Sequence, residues 1–115
     1  MKTTSAVSLL TALGHEHRLS VFRKLVQAGP EGVSAGALSD ELGVAPGTLS
    51  FHLKALTHAG LISPRPERQF IYYCANFELM NELLQHLTEN CCGGRDCGVG
   101  KNLRRAKPTK IPRAA

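Results

Sequence analysis

Two short amphipathic segments on either side of Gly43-Val44-Ala45-Pro46 constrain this chain more than anything else in it. In the first, Ser34 stands at an N-cap position, and Leu38 and Leu42 recur at helical spacing before Gly43 stops the run. In the second, Ala45-Pro46 opens a helix whose inward stripe is Leu49, Leu53 and Leu56 and which Gly60 closes. Proline is tolerated there because a first-turn N–H has no intrahelical acceptor to lose. Two helices of this size joined by so tight a turn predict a helix-turn-helix.

The flanking segments extend that unit. Val7, Leu9, Leu10 and Leu13 predict a short helix over 5–13, broken at Gly14. Leu19, Phe22, Leu25 and Val26 predict a longer one over 15–28, stopped by Gly29-Pro30. Leu61-Ile62-Ser63 and Phe70-Ile71-Tyr72-Tyr73 read as strands separated by Pro64 to Gln69, which predicts a hairpin, or wing. A last helix over 77–90 carries Phe77, Met80, Leu83, Leu84 and Leu87, more apolar face than one small core needs, so its surplus points to a second copy of the chain. The fold class expected is mainly α with a two-stranded β wing, homodimeric.

At 115 residues the chain can bury one marginal core. Its net charge of +5 is uneven: residues 1–92 hold 7 Lys/Arg against 8 Asp/Glu, whereas residues 93–115 hold 7 against 1. The basic excess therefore lies in the tail, and net charge alone does not mark the core as a nucleic-acid binder. Taken with the helix-turn-helix and the surplus apolar face of the last helix, the division expected is a DNA-binding and dimerisation domain over 1–92 and a basic, disordered tail over 93–115 that holds Cys97. No run approaches the length of a membrane span, and no apolar leader with a small-residue cleavage site opens the sequence, so a cytoplasmic protein with no membrane partner is expected.

The strings LGHEHRLSVFRKL, LSDELGVAPGTLSFHLKALTHAGLI and RQFIYYCAN, in this order of elements, resemble the ArsR family of bacterial metal-sensing repressors over about residues 5–92. The resemblance implies a winged-helix homodimer, joined through its first and last helices, that binds double-stranded operator DNA and represses until an ion releases it. Phe51 departs from the family, many members having Arg there, and the wing tip Pro66-Glu67-Arg68-Gln69 lacks the usual Gly.

If Leu49, Leu53 and Leu56 face inward, Gly47, Phe51, Lys54 and His58 lie opposite, flanked by Thr48 and Ser50. Thr48 and Ser50 can bond base edges or phosphates, Phe51 can touch a thymine methyl, Lys54 can neutralise a phosphate, and Gly47 leaves room for close backbone approach. The alternative is an ordinary solvated surface. His52 falls at the boundary of the face, where a bond within the domain or to a phosphate competes with base reading. Arg68 at the wing tip is a candidate for the minor groove. His15, His17 and His58 read as surface or helix-end hydrogen bonders, and Arg18 is similar to a position of the ArsR family that stabilises the fold or approaches DNA.

Cys91, Cys92 and Cys97 cluster past the last helix, with Gly93-Gly94 to turn the chain back. In a reducing compartment such a cluster favours metal or redox chemistry over structural disulfides. Three thiolates match the pyramidal preference of trivalent arsenic or antimony better than the four ligands of zinc, so the expected inducer is As(III) or Sb(III), with no cofactor needed for DNA binding. The spacing also resembles the C-terminal arsenite site of some ArsR members, those that repress arsenical-resistance operons. Zinc with His86 as fourth ligand, a redox pair and unused thiols remain alternatives. Cys74 reads as a small buried hydrophobe. A thiol-dependent reductase is the rival class, weakened because no phosphate-cradling loop surrounds these cysteines, and the expectation is a non-enzyme.

Overall fold

The computed structural model describes residues 1–94; residues 95–115, and with them Cys97 and most of the basic segment, lie outside the described residues. Five helices and a three-stranded sheet follow in the order α1 (Thr3–Leu13), α2 (Glu16–Ala28), β1 (Val33–Ser34), α3 (Ala35–Leu42), α4 (Pro46–His58), β2 (Ile62–Glu67), β3 (Phe70–Ala75) and α5 (Phe77–Leu87). Short 3-10 turns at Gly29–Glu31 and Cys91–Gly94 complete it. This is the winged helix-turn-helix expected from the sequence.

The turn between α3 and α4 is closed from both sides. Ser34 Oγ accepts from the Ala37 amide and caps α3. At the other end Gly43 takes the left-handed conformation, φ 66°, that a side chain would resist. Ser39 Oγ donates to the Val44 carbonyl at 2.6 Å, and the Val44 side chain is buried. One core then joins all the helices: Leu9 of α1, Val21, Phe22 and Leu25 of α2, Leu38 of α3, Leu49, Leu53 and Leu56 of α4, Leu61 and Ile62 at the wing base, and Leu83 of α5.

The sheet differs from the sequence expectation in two ways, each with a physical cause. Its order is β1-β3-β2, all antiparallel, so β3 is central and gains a second partner through Val33 opposite Tyr73 and Ser34 opposite Tyr72. A two-residue strand leaves no alternation to detect, which hid it. The wing strand β2 also runs through Pro64 and Pro66 to Glu67, which pairs with Phe70. Because β2 is an edge strand and the two prolines share a parity, their missing N–H groups face away from the ladder. The loop is only Arg68-Gln69, and Arg68 takes φ 59° in place of the glycine usual at such a tip.

The last helix stops at Leu87, short of the expected Asn90, where Thr88 Oγ1 turns back to the Leu84 carbonyl at 2.9 Å. Its start is fixed by Asn76, which caps α5 by accepting from the Leu79 amide. The Asn76 side-chain amide donates to the Gly60 carbonyl at 3.0 Å.

Gly32 joins the 3-10 turn to β1 at φ 77°, and a Cβ there would run into the Tyr73 carbonyl oxygen and lie 2.8 Å from Cys74 Sγ. Gly32→Ala therefore combines left-handed strain with a backbone clash and should lower stability by about 2 kcal/mol or more. Urea denaturation followed by circular dichroism checks this; an unchanged midpoint would contradict the packing of β1 on β3.

Candidate nucleic-acid interface

The burial of Leu49, Leu53 and Leu56 sets the rotation of α4 about its axis. Gly47, Thr48, Ser50, Phe51 and Lys54 consequently face solvent, with Phe51 64% exposed at the centre of the face. Nothing lies within 4 Å of the space a Gly47 side chain would occupy, so a partner can approach the backbone there. Arg68 is exposed at the hairpin tip. The outward surface thus offers two hydroxyls, an aromatic ring and a cation on one helix, and a second cation on the wing.

His52 belongs to a different environment. It is 4% exposed and accepts a hydrogen bond at Nδ1 from Arg18 Nε, 3.2 Å away, so of the alternatives open from the sequence its position realises the bond within the domain. Its ring centroid lies 4.4 Å from that of His15 and 5.5 Å from that of His17. His15 Nδ1 in turn accepts from the His17 amide and caps α2. The Phe51 ring stands edge-on to His52 at 5.5 Å, and the Arg18 guanidinium carbon lies 5.9 Å from the Phe51 centroid. Sequence reasoning missed this cluster because 34 residues separate Arg18 from His52 and no local pattern joins them.

Burial, and then the charges of His15, Arg18 and His17, lower the His52 pKa from its ordinary 6.5. The unfolded chain therefore binds more protons than the folded one between the lowered value and 6.5, and stability rises with pH across that window. The contribution is complete above 6.5 and is lost as the pH falls toward the folded value. The urea midpoint should thus be lower at about pH 5.5 than at about pH 7.5, with the slope reduced in His52→Asn. Equal slopes in the two proteins would show that His52 does not carry it.

The thiol expectation requires correction. Cys91 and Cys92 bring their sulfurs to 3.8 Å, with Cys92 in the left-handed conformation, φ 58°. Among the described residues, however, no three His, Cys, Asp or Glu side chains stand together so as to hold a metal ion. A pyramidal trivalent site needs three sulfurs converging on one point, and the described fold supplies two. Cys97 lies outside the described residues. His86 is turned toward Glu89, at 3.9 Å, and Cys74 donates to the Pro30 carbonyl at the wing base. Neither an As(III) or Sb(III) inducer at Cys91, Cys92 and Cys97 nor assignment to the arsenical-resistance type on that ground is supported.

Residues 13–65 match a family model described as a helix-turn-helix domain. The arsenical resistance operon repressor of Bacillus subtilis is 36% identical over 89 residues, 77% of this chain and 81% of that protein. The transcriptional activator HlyU of Vibrio cholerae is 34% identical over 88 residues, 74% of this chain and 79% of that protein. The chain belongs to the ArsR family of winged helix-turn-helix transcriptional regulators. The nodulation protein NolR of Rhizobium meliloti is 31% identical over 84 residues, and the match spans 66% of its length, just under two thirds. The solved structure of HlyU from Vibrio cholerae superposes with a TM-score of 0.62 at 30% identity, covering 80% of this chain and 99% of that one. As a family member this chain is a DNA-binding regulator and not an enzyme. Among the described residues, no helix is long and apolar enough to cross a membrane.

Proposed function

We infer that the protein is a cytoplasmic transcriptional repressor that occupies a pseudo-palindromic operator as a homodimer. The observation that carries this reading is the outward face of α4, with Thr48, Ser50, Phe51 and Lys54 exposed on the helix that follows the helix-turn-helix turn. Such a helix enters the major groove by its N-terminal turns, and Arg68 on the wing reaches the adjoining backbone or minor groove. Thr48 and Ser50 bond base edges or phosphates, Phe51 packs on a thymine methyl, Lys54 neutralises a phosphate, and Gly47 admits the backbone. Repression follows the Bacillus subtilis relative, itself named a repressor; HlyU is named an activator, and the opposite sign is the second reading.

Dimerisation is supported by apolar surface left on the first and last helices. Val7 and Leu10, three residues apart on α1, are 54% and 43% exposed, and Leu87 of α5 is 55% exposed. Apolar side chains left exposed on these two helices are what a partner copy packed there would cover. On this reading residues 1–92 form the DNA-binding and dimerisation unit, and residues 93–115 a separate basic segment. Two recognition helices then meet successive major grooves about 34 Å apart.

A duplex selected from a random pool by the wild-type protein, followed by in vitro transcription from a promoter carrying it, tests the function. Repression is expected, and activation would favour the second reading. Val7→Glu with Leu10→Glu should convert the dimer to a monomer in sedimentation and weaken operator binding by roughly 100-fold, since half-sites then bind independently. Lys54→Ala should weaken binding to all sequences alike and reduce the salt slope by about one. Loss of affinity confined to one base position would instead place Lys54 on a base edge.

A further inference from the structure

Phe51 is the residue of the reading face most in need of support, because a ring 64% exposed has few neighbours to hold it at one angle. On its flank toward the protein stand the ring of His52 at 5.5 Å and the guanidinium of Arg18 at 5.9 Å, and these are bonded to each other. Arg18 comes from α2 and His52 from the buried side of α4, so the pair braces the recognition helix against its neighbour directly behind the exposed ring. The brace depends on a lone pair. Neutral His52 accepts from Arg18 Nε at Nδ1, whereas the imidazolium carries N–H on both nitrogens and confronts a guanidinium of like charge. The other groups acting on His52, His15 and His17 at the start of α2, add no negative charge to offset that repulsion.

We propose that Arg18 and His52 are positioning residues for Phe51, holding its ring at the angle at which it meets a base, and that protonation of His52 releases it. Base discrimination by Phe51 is then coupled to pH through a group that never touches DNA. The inference rests on the reading of Phe51 as a DNA contact. It predicts a selective loss: discrimination at the base facing Phe51 disappears on acidification, while phosphate-driven affinity, which only gains from added positive charge, persists.

The test uses the full chain and a duplex that the wild-type protein has selected from a random pool, with single thymines replaced by uracil to delete one methyl at a time. At about pH 8 one replacement should cost the wild type about fourfold in affinity, the worth of one buried methyl, and Phe51→Ala should be indifferent to it. Once the solution is acidified below the lowered pKa of His52, located in the same protein by an NMR titration of its ring, the wild type should lose this discrimination, and its retention by the protonated ring overturns the release. His52→Asn, which offers an acceptor near the position of Nδ1 but does not titrate, should retain it at both pH values. Arg18→Met should lack it at both, its weaker binding to unrelated duplex reporting only the lost positive charge. Discrimination that survives in Arg18→Met, or that vanishes with acid equally in His52→Asn, overturns the positioning role while leaving the repressor reading intact. Failure of the wild type to select any sequence, or indifference of all its thymines to demethylation, overturns the DNA contact of Phe51 and the brace with it. Should Arg18→Met prove unfolded by circular dichroism, the comparison of wild type with His52→Asn decides alone.

Discussion

The burial of Leu49, Leu53 and Leu56 is the interaction on which the rest of this structure depends. Each leucine removed from water contributes about 1.5–3 kcal/mol, so the stripe represents a large part of a small domain's net stability. Its consequence for function is geometric. A helix held by three side chains on one stripe cannot rotate without exposing them, and every outward residue of α4 is thereby assigned its direction. Gly47, Thr48, Ser50, Phe51 and Lys54 are a candidate reading face because leucines on the other side leave them no alternative.

The helix-turn-helix was legible in the sequence because its signals are local: Ser34 as a cap, Gly43 as a stop, Pro46 at a helix start, and a leucine stripe of helical period. The hairpin was legible in outline, but its length was not. Pro64 and Pro66 argue against a strand unless the strand lies at an edge, and edge status depends on the pairing of β3 with β1, a contact between residues 33–34 and 72–73. The brace of Arg18 on His52 was hidden for the same reason, since spacing within either helix carries no trace of the other. The two-residue β1 was below the length at which any pattern exists.

The thiols illustrate the converse error. Cys91, Cys92 and Cys97 form a conspicuous local pattern, and a match in number to the ligand count of a trivalent ion made convergence look implied. Spacing permits convergence without requiring it. Two adjacent cysteines in a short turn reach 3.8 Å, but a site requires a third donor, and none of the described residues provides one. Family membership does not repair this, because a fold shared with an arsenical resistance repressor is equally shared with HlyU.

If the protein acts as the dimer proposed above, two surfaces have to act together, and Asn76 is where they are joined. Its backbone amide donates to the Leu61 carbonyl at 2.8 Å, its side-chain amide to the Gly60 carbonyl at 3.0 Å, and its side-chain oxygen accepts the Leu79 amide at the start of α5. Gly60 and Leu61 closely follow α4, so one residue ties the end of α4 to the beginning of the helix whose far end carries the exposed Leu87. A partner copy packed on α5 would therefore act on α4 through hydrogen bonds and a shared core rather than through a flexible linker. Rigid connection of this kind is what a fixed half-site separation demands, because a recognition helix displaced by a few ångströms no longer meets its groove in register with its twin.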